Sequence, residues 1–170
     1  IYNGVGFPKQ LPHKPRQEYL RELGVDWNEE NIIYGIAARI DPVKDMTTLV
    51  KAFAKTVAEC PKARLLIAGI GDQEKESKAL AAELCPAGTV HFAGWVSDMN
   101  SFYHCLDVNM LTSISETFSY AITEGARMRC ATICTAVGGL PRVVIDGQTG
   151  YRITVGDHEI SNAELSYFYI

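Results

Sequence analysis

The sequence predicts an α/β fold, a Rossmann-like parallel sheet of about six strands with helices on both faces. Short apolar runs rich in β-branched residues alternate about six times with amphipathic runs along the 170 residues. Few hairpin signals separate the apolar runs, so successive strands are joined through helices and run parallel. The length suits one domain, and a content of 47% hydrophobic and 21% charged residues is typical of globular proteins.

The predicted elements follow in chain order, beginning with an opening strand near YNGVGF and a small helix at 16–23. The run NIIYGIAAR (31–39) is β-branched and flanked by polar residues, which predicts a buried strand. The amphipathic run at 45–60 predicts a helix with Asp45 or Thr47 as its N-cap. By the same patterns, the remaining predicted elements are strands at 63–69, 89–94, 107–112, 131–136 and 150–154, and helices at 72–84, 97–105 (capped by Ser97), 118–129 and 139–145.

Charge and cysteine content restrict the class of function. The formal net charge of −4 argues against a nucleic-acid partner, because phosphate backbones require a basic face. The five cysteines are odd in number and include no CxxC pair, which favours free core thiols in a reducing cytoplasm. No signal peptide or transmembrane run is predicted. The chain begins without Met, and we expect it to be an excised domain.

An open parallel sheet binds its ligand outside the carboxyl ends of its strands, so the loops at 40–46, 69–72, 94–97, 112–118 and 136–140 form the expected binding edge. In the first of these loops, Arg39 ends a strand and Lys44 precedes a helix. A forked guanidinium and a point charge aimed at one edge suit a diphosphate. The alternative is two solvated surface charges.

Glycines and a tryptophan lie in three of the other loops. Gly71 belongs to a GxG turn that lacks the third glycine of a dinucleotide fingerprint, so a tight turn is the favoured interpretation. Gly138 and Gly139 let the backbone approach a ligand or adopt positive φ, although a simple strand-to-helix turn would also use them. Trp95 and Val96 could flank a nucleobase or serve only in packing.

Two carboxylates, Glu116 and Glu124, lie eight positions apart around the predicted start of a helix near Phe118. This spacing covers roughly 12 Å at helical rise. With Ser119 and Tyr120 in the first turn, the unpaired N–H groups of the helix start would attract phosphate. The two acids could then accept hydrogen bonds from hydroxyls on either side of that phosphate.

A structural role for the same two acids is the alternative, with Glu116 capping the helix and Glu124 on the surface. Glu124, however, has Ala121, Ile122, Gly125 and Ala126 as neighbours, which are predicted to be buried. A carboxylate in such surroundings needs a partner that satisfies it. The spacing alone leaves both alternatives open.

Six segments follow one another along the chain: YNGVGF, ARIDPVKDMTTLVKAF, LLIAGIGD, VHFAGWVSDMNSFYHCLDVNMLTSISETF, SETFSYAITEGA and AVGGLPRVVIDGQTGY. In this order they resemble the C-terminal, nucleotide-sugar-binding domain of family 4 glycosyltransferases with the GT-B fold. The resemblance runs from Ile1 to about Asp157 and covers nearly the whole chain. Single segments of this kind are weak signals, whereas six in the same order are strong.

The resemblance implies a role for each matching position. Arg39 and Lys44 would neutralise the donor diphosphate, Glu116 would contact the hydroxyls of the transferred sugar, and Glu124 would hold the ribose. Arg39, Lys44 and Glu116 are thus the expected catalytic residues. The expected donor-binding residues are Glu124, Gly71, Trp95, Val96, Phe118, Ser119, Gly138 and Gly139.

The resemblance also implies a reaction, transfer of a sugar from a nucleotide-diphosphate sugar with retention of configuration, without a metal or another cofactor. Residues 1–170 would form one donor-binding domain, and the N-terminal domain that binds a carbohydrate or lipid acceptor would be missing, together with the final helix. A cytoplasmic location is expected, and peripheral membrane association of the full-length enzyme is compatible with it.

The sequence departs from the family pattern at three positions. Thr117 and Ser119 stand where glycine is frequent, and Arg142 stands where an acidic residue is common. Two alternatives therefore stay open. The first is a non-catalytic domain of the same fold that has lost donor binding. The second is a sugar-nucleotide epimerase or a phosphorylase of related architecture.

Overall fold

The computed structural model describes Gly6 and residues 11–155, and within them it forms a six-stranded sheet in the order β3-β2-β1-β4-β5-β6. Every strand pair is parallel, as predicted. The strands are β1 Ile32–Ala37, β2 Ala63–Ala68, β3 Val90–Gly94, β4 Val108–Leu111, β5 Ala131–Thr135 and β6 Tyr151–Ile153. The helices are α1 Arg16–Glu22, α2 Met46–Glu59, α3 Glu74–Leu84, α4 Met99–Cys105, α5 Tyr120–Arg127 and α6 Leu140–Val143.

The predicted Rossmann-like α/β class is confirmed, with each predicted strand and helix from 16 to 154 present within a few residues of its expected bounds. A 3₁₀ turn at Pro42–Lys44 between β1 and α2 was not predicted. The predicted opening strand at YNGVGF falls, apart from Gly6, outside the described residues.

The apolar side chains of the sheet alternate between two core clusters, one on each face. On β1, Ile33 belongs to one cluster whereas Tyr34 and Ile36 belong to the other. The buried residues of α2 and α3 complete the Tyr34 cluster, and those of α1 and α4 complete the Ile33 cluster. Helices therefore cover both faces, and the period-2 alternation in the strands is what divides the core.

Helix caps fix where two of the helices begin. Asp98 caps α4, accepting from the amide of Ser101 at 3.1 Å, so the prediction that Ser97 is the cap is wrong. A carboxylate one residue before the first helical position has the right reach for this bond. Ser119 likewise caps α5 and lies outside the first turn, in which it was predicted.

The described residues contain no helix that is both long and apolar enough to cross a membrane. All five cysteines are free of disulfide bonds, and four of them are buried.

Candidate functional site

The loops that follow β1 and β4 are joined by hydrogen bonds at the carboxyl edge of the sheet. The Thr112 hydroxyl donates to the carbonyl of Lys44 at 2.8 Å, and the Ile114 amide donates to the carbonyl of Val43 at 2.9 Å. β1 and β4 are adjacent in the sheet, so residues 40–46 and 112–118 lie side by side there. The predicted meeting of these two loops is confirmed.

Lys44 and Glu116 form an ion pair across that junction, with Lys44 Nζ donating to Glu116 Oε1. The two side chains are 21% and 9% exposed, so the pair is largely withdrawn from water. The hydroxyl of Ser113, a buried residue, donates to the same Glu116 oxygen at 3.0 Å. The Ser113 carbonyl accepts in turn from Thr135 on β5 at 2.6 Å, which ties the acid to a third strand.

Asp41 organises the loop that carries the two predicted cations. Its carboxylate accepts from Arg39 Nε at 2.5 Å and from the amides of Val43 and Lys44 at 3.0 and 3.2 Å. Burial raises the pKa of Asp41, but the Arg39 guanidinium and these amides outweigh burial and hold that pKa below its usual value. The Arg39 side chain is 76% exposed, so it remains accessible beyond its bond to Asp41.

The start of α5 lies immediately after Glu116. The hydroxyl of Ser119 accepts from the Ile122 amide at 3.3 Å, which satisfies one of the orphan amides of the first turn. The amides of Tyr120 and Ala121 have no acceptor within the helix, because helical geometry supplies none at these positions. Phe118 packs edge to face on Tyr120, with ring centroids 5.5 Å apart.

Gly138 and Gly139 press against the backbone that leads into α5. A Cβ at Gly138 would lie 1.5 Å from the carbonyl oxygen of Glu116, and Gly138 has a φ of +54°. A Cβ at Gly139 would lie 2.4 Å from the carbonyl oxygen of Thr117. The loop after β5 therefore requires glycine for close approach to the Glu116 loop.

Glu124 lies in the second turn of α5, roughly 7 Å along the helix from Ser119. Its Oε2 accepts from the hydroxyl of Tyr103 on α4 at 3.3 Å. Of the neighbours predicted to be buried, Ile122 and Gly125 are buried and Ala121 is half-buried, but Ala126 is exposed, which corrects that part of the prediction. Ala126 faces outward because α5 is amphipathic and only one side of it meets the sheet.

The structure gives Gly71, Trp95 and Val96 different surroundings. A Cβ at Gly71 would lie 2.2 Å from the carbonyl oxygen of Ile40, so the turn after β2 packs on the loop after β1. Trp95 is 77% exposed beyond the end of β3, whereas Val96 is half-buried against the α1 and α4 core. A Trp95 side chain free of core packing remains a candidate for base stacking, and Val96 has a packing role.

Sequence reasoning missed three residues that position the predicted charges: Asp41, Ser113 and Tyr103. The DPVK segment did carry a signal for Asp41, because Asp before Pro favours a turn held by the carboxylate. Ser113 and Tyr103 are brought to the acids by the packing of β4 and α4, and local spacing does not reveal such contacts. Within residues 11–155 no group of three or more metal-ligating side chains occurs, and the expectation of a metal-free site stays a prediction.

The model of a protein family described as "Glycosyl transferases group 1" matches residues 23–169. The putative glycosyltransferase EpsD of Bacillus subtilis strain 168 is 30% identical over 155 residues, which are 91% of this chain and 40% of that protein. The N-acetyl-alpha-D-glucosaminyl L-malate synthase of Bacillus anthracis is 32% identical over 139 residues, which are 81% of this chain and 35% of that protein. The chain thus spans about two fifths or less of the length of these relatives.

Two solved structures share the fold of this chain. The crystal structure of Anabaena Alr3699/HepE in complex with UDP-glucose superimposes with a TM-score of 0.79 at 25% identity, covering 92% of this chain and 43% of that one. The crystal structure of WaaG, a glycosyltransferase involved in lipopolysaccharide biosynthesis, superimposes with a TM-score of 0.71 at 20% identity, covering 88% and 39% of the two chains.

Proposed function

This chain belongs to the glycosyl transferases group 1 family, and we propose that it is the donor-binding half of a retaining glycosyltransferase of the GT-B type. The observation that carries the proposal is the junction of Lys44 and Glu116 beside the start of α5. A cation, a hydroxyl-binding acid and free helix amides are the groups that a sugar diphosphate requires.

The diphosphate would lie between the Arg39–Lys44 loop and the first turn of α5. Arg39 supplies an exposed guanidinium and Lys44 an ammonium group, while the amides of Tyr120 and Ala121 supply neutral donors. When the bond between the anomeric carbon and the diphosphate breaks, negative charge grows on the leaving oxygen. Fixed cations and amides at that place would stabilise the charge without needing a metal.

The two acids would hold the ends of the same donor. Glu116, at 9% side-chain exposure, is positioned by Ser113 to accept from hydroxyls of the transferred sugar. Glu124, on α5, would accept from the ribose hydroxyls. The solved complexes of Alr3699/HepE with UDP-glucose and with UDP and glucose support a nucleotide-sugar donor for this chain.

The departures from the family pattern near α5 are compatible with this role. Within residues 11–155, positive φ values at residues other than glycine are confined to Asp45 and Arg129, so neither Thr117 nor Ser119 occupies a conformation that requires glycine. Ser119 instead supplies the cap of α5. The backbone that would meet the phosphate therefore keeps its donors.

The rest of the proposal concerns the full-length protein. An acceptor, either a carbohydrate or a lipid, would bind to an N-terminal domain outside this chain, because the relatives are more than twice as long as this chain. Retention of configuration, a cytoplasmic location and peripheral membrane association belong to the same proposal. The isolated chain should bind its donor without turning it over.

Isothermal titration calorimetry of the folded chain with UDP, GDP and ADP tests donor binding. We expect saturable 1:1 binding of at least one nucleotide, and added Mg²⁺ should not be required. No heat with any of the three, from protein shown to be folded by circular dichroism, would count against the proposal and favour a non-catalytic domain. Residues that would identify an epimerase or a phosphorylase are expected outside this chain, so the full-length sequence would distinguish these enzymes.

A further inference from the structure

Tyr103 connects the core under α4 to the acid on α5. Its ring is 1% exposed and packs within the cluster that α1 and α4 build on one face of the sheet. Its carbonyl accepts from the thiol of Cys130 at 3.0 Å, and Asn100, one turn earlier on α4, accepts from Arg127 on α5 at 3.3 Å. The Tyr103 ring is thus enclosed by the core, and α4 is bonded to α5 close to it.

The hydroxyl of Tyr103 is the polar end of this buried ring, and it donates to Glu124 Oε2 at 3.3 Å. Burial raises the pKa of Tyr103, and the nearby Glu124 carboxylate raises that pKa further, so the phenol keeps its proton and remains a donor. A carboxylate offers about four lone-pair sites on its two oxygens. Tyr103 occupies one of them, which leaves enough acceptors for a vicinal diol.

We propose that Tyr103 is a positioning residue for ribose recognition, holding the Glu124 carboxylate in the orientation that accepts the two ribose hydroxyls. The inference rests on the proposed donor-binding function and extends it to a residue on α4. A free glutamate side chain samples many rotamers, and ordering it on binding costs rotamer entropy. The Tyr103 bond restricts these rotamers before the ligand binds.

If Tyr103 had only a structural role, removal of its hydroxyl would give a different experimental result. If Glu124 serves only to satisfy the buried hydroxyl, removal of that hydroxyl changes the stability of the fold and leaves ligand affinity alone. If Tyr103 orients Glu124, its removal weakens only those ligands that present a ribose diol. The two roles are separated by comparing a nucleotide with its form that lacks both hydroxyls.

The experiment measures the dissociation constants of Tyr103→Phe for the tightest diphosphate of the UDP, GDP and ADP panel and for its 2′,3′-dideoxy form. We expect the diphosphate to bind about threefold to tenfold more weakly than to the wild type, the range for one lost hydrogen bond. The dideoxy form should bind equally to both proteins. Tyr19→Phe, which removes another buried phenol from the same core cluster, is the matched control and should change neither constant.

A double-mutant cycle with Glu124→Ala completes the test. Adding Tyr103→Phe to Glu124→Ala should cause no further ribose-specific loss, because the acceptor that Tyr103 orients is gone. A p-aminophenylalanine at position 103 keeps an N–H donor and should recover part of the affinity; it also serves if the Phe variant does not fold. Equal losses for both ligands, or none, would overturn the inference while donor binding by the wild type stands. Absence of binding by the wild type would instead overturn the proposed function.

Discussion

Lys44 and Glu116, seventy-two residues apart in the sequence, form an ion pair at the carboxyl edge of the sheet. The chain without ligand therefore neutralises its proposed phosphate-binding cation with its proposed sugar-binding acid. A diphosphate that approaches Lys44 competes with Glu116 for the ammonium group. Release of Glu116 from Lys44 would then leave its carboxylate available to the sugar hydroxyls, so binding of the two parts of a donor would be coupled.

Replacement of Lys44 by Ala should weaken diphosphate binding by at least about 1.5 kcal/mol, more than tenfold in the dissociation constant. The variant loses the cation and also leaves the Glu116 carboxylate unpaired, which repels the incoming phosphate. Calorimetry with the tightest nucleotide of the panel provides the measurement. Lys51→Ala, an exposed lysine on α2, is the matched control and should bind like the wild type. Unchanged affinity in Lys44→Ala would contradict the assigned role.

Replacement of Glu116 by Gln should have opposite effects on the two parts of the donor. Lys44 loses its charged partner, so we expect a nucleoside diphosphate to bind more tightly, because the ammonium group is then free to donate to phosphate. The additional affinity that an attached glucose provides should fall, because an amide accepts hydroxyl hydrogen bonds less strongly than a carboxylate does.

Titration of the Glu116→Gln variant with the diphosphate and with the corresponding nucleotide-glucose measures both effects. Glu83→Gln, which neutralises an exposed acid on α3, controls for the change in net charge. Equal weakening of both ligands would rule out competition between Glu116 and phosphate for Lys44.

The alternation of apolar and amphipathic runs was sufficient to predict the sheet, because parallel βαβ units leave a strong periodic pattern. The same pattern placed Arg39, Lys44 and Glu116 at one edge, since carboxyl ends of parallel strands converge there. It could not predict that Lys44 pairs with Glu116, because this contact depends on β4 lying next to β1 in the sheet. Nor could it predict Tyr103 as the partner of Glu124, because the packing of α4 against α5 is a tertiary feature.

The Asp98 cap predicts a pH-dependent contribution to stability. The hydroxyl and amide of Ser101 lower the pKa of Asp98 below its usual value, an effect that burial opposes and nearby Lys14 and His13 assist. A carboxyl group whose pKa is lower in the folded state stabilises the fold at pH values above its unfolded pKa. That stabilisation is lost as the pH falls through the folded pKa, which lies below the usual value of an aspartate.

Urea denaturation at pH 7 should therefore give Asp98→Ala a free energy of unfolding about 1 kcal/mol below that of the wild type, the usual value of an N-cap. The difference should shrink as the pH is lowered towards 3. Gln73→Ala is the control, because the Gln73 side chain makes no capping bond at the start of α3. A difference that stays constant with pH would contradict the charged cap.

Gly138 and Gly147 provide a matched pair for testing whether the loop after β5 shapes the site. Both have positive φ, +54° and +70°, so an alanine at either position adopts a strained left-handed conformation that costs about 1 kcal/mol. Only at Gly138 would the new Cβ also collide with a backbone atom, the carbonyl oxygen of Glu116 at 1.5 Å. At Gly147 the space within 4 Å is empty.

We expect both alanine variants to lose stability, and Gly138→Ala to lose more, because the Glu116 backbone must shift to admit the methyl group. That shift moves Glu116 away from Ser113 and Lys44, so nucleotide-glucose binding should weaken by about tenfold, as expected for a lost charge-assisted contact. Gly147→Ala should bind like the wild type. Thermal unfolding and calorimetry on the two variants give the comparison. Equal affinities in the presence of unequal stabilities would show that the loop supports the fold without setting the position of Glu116.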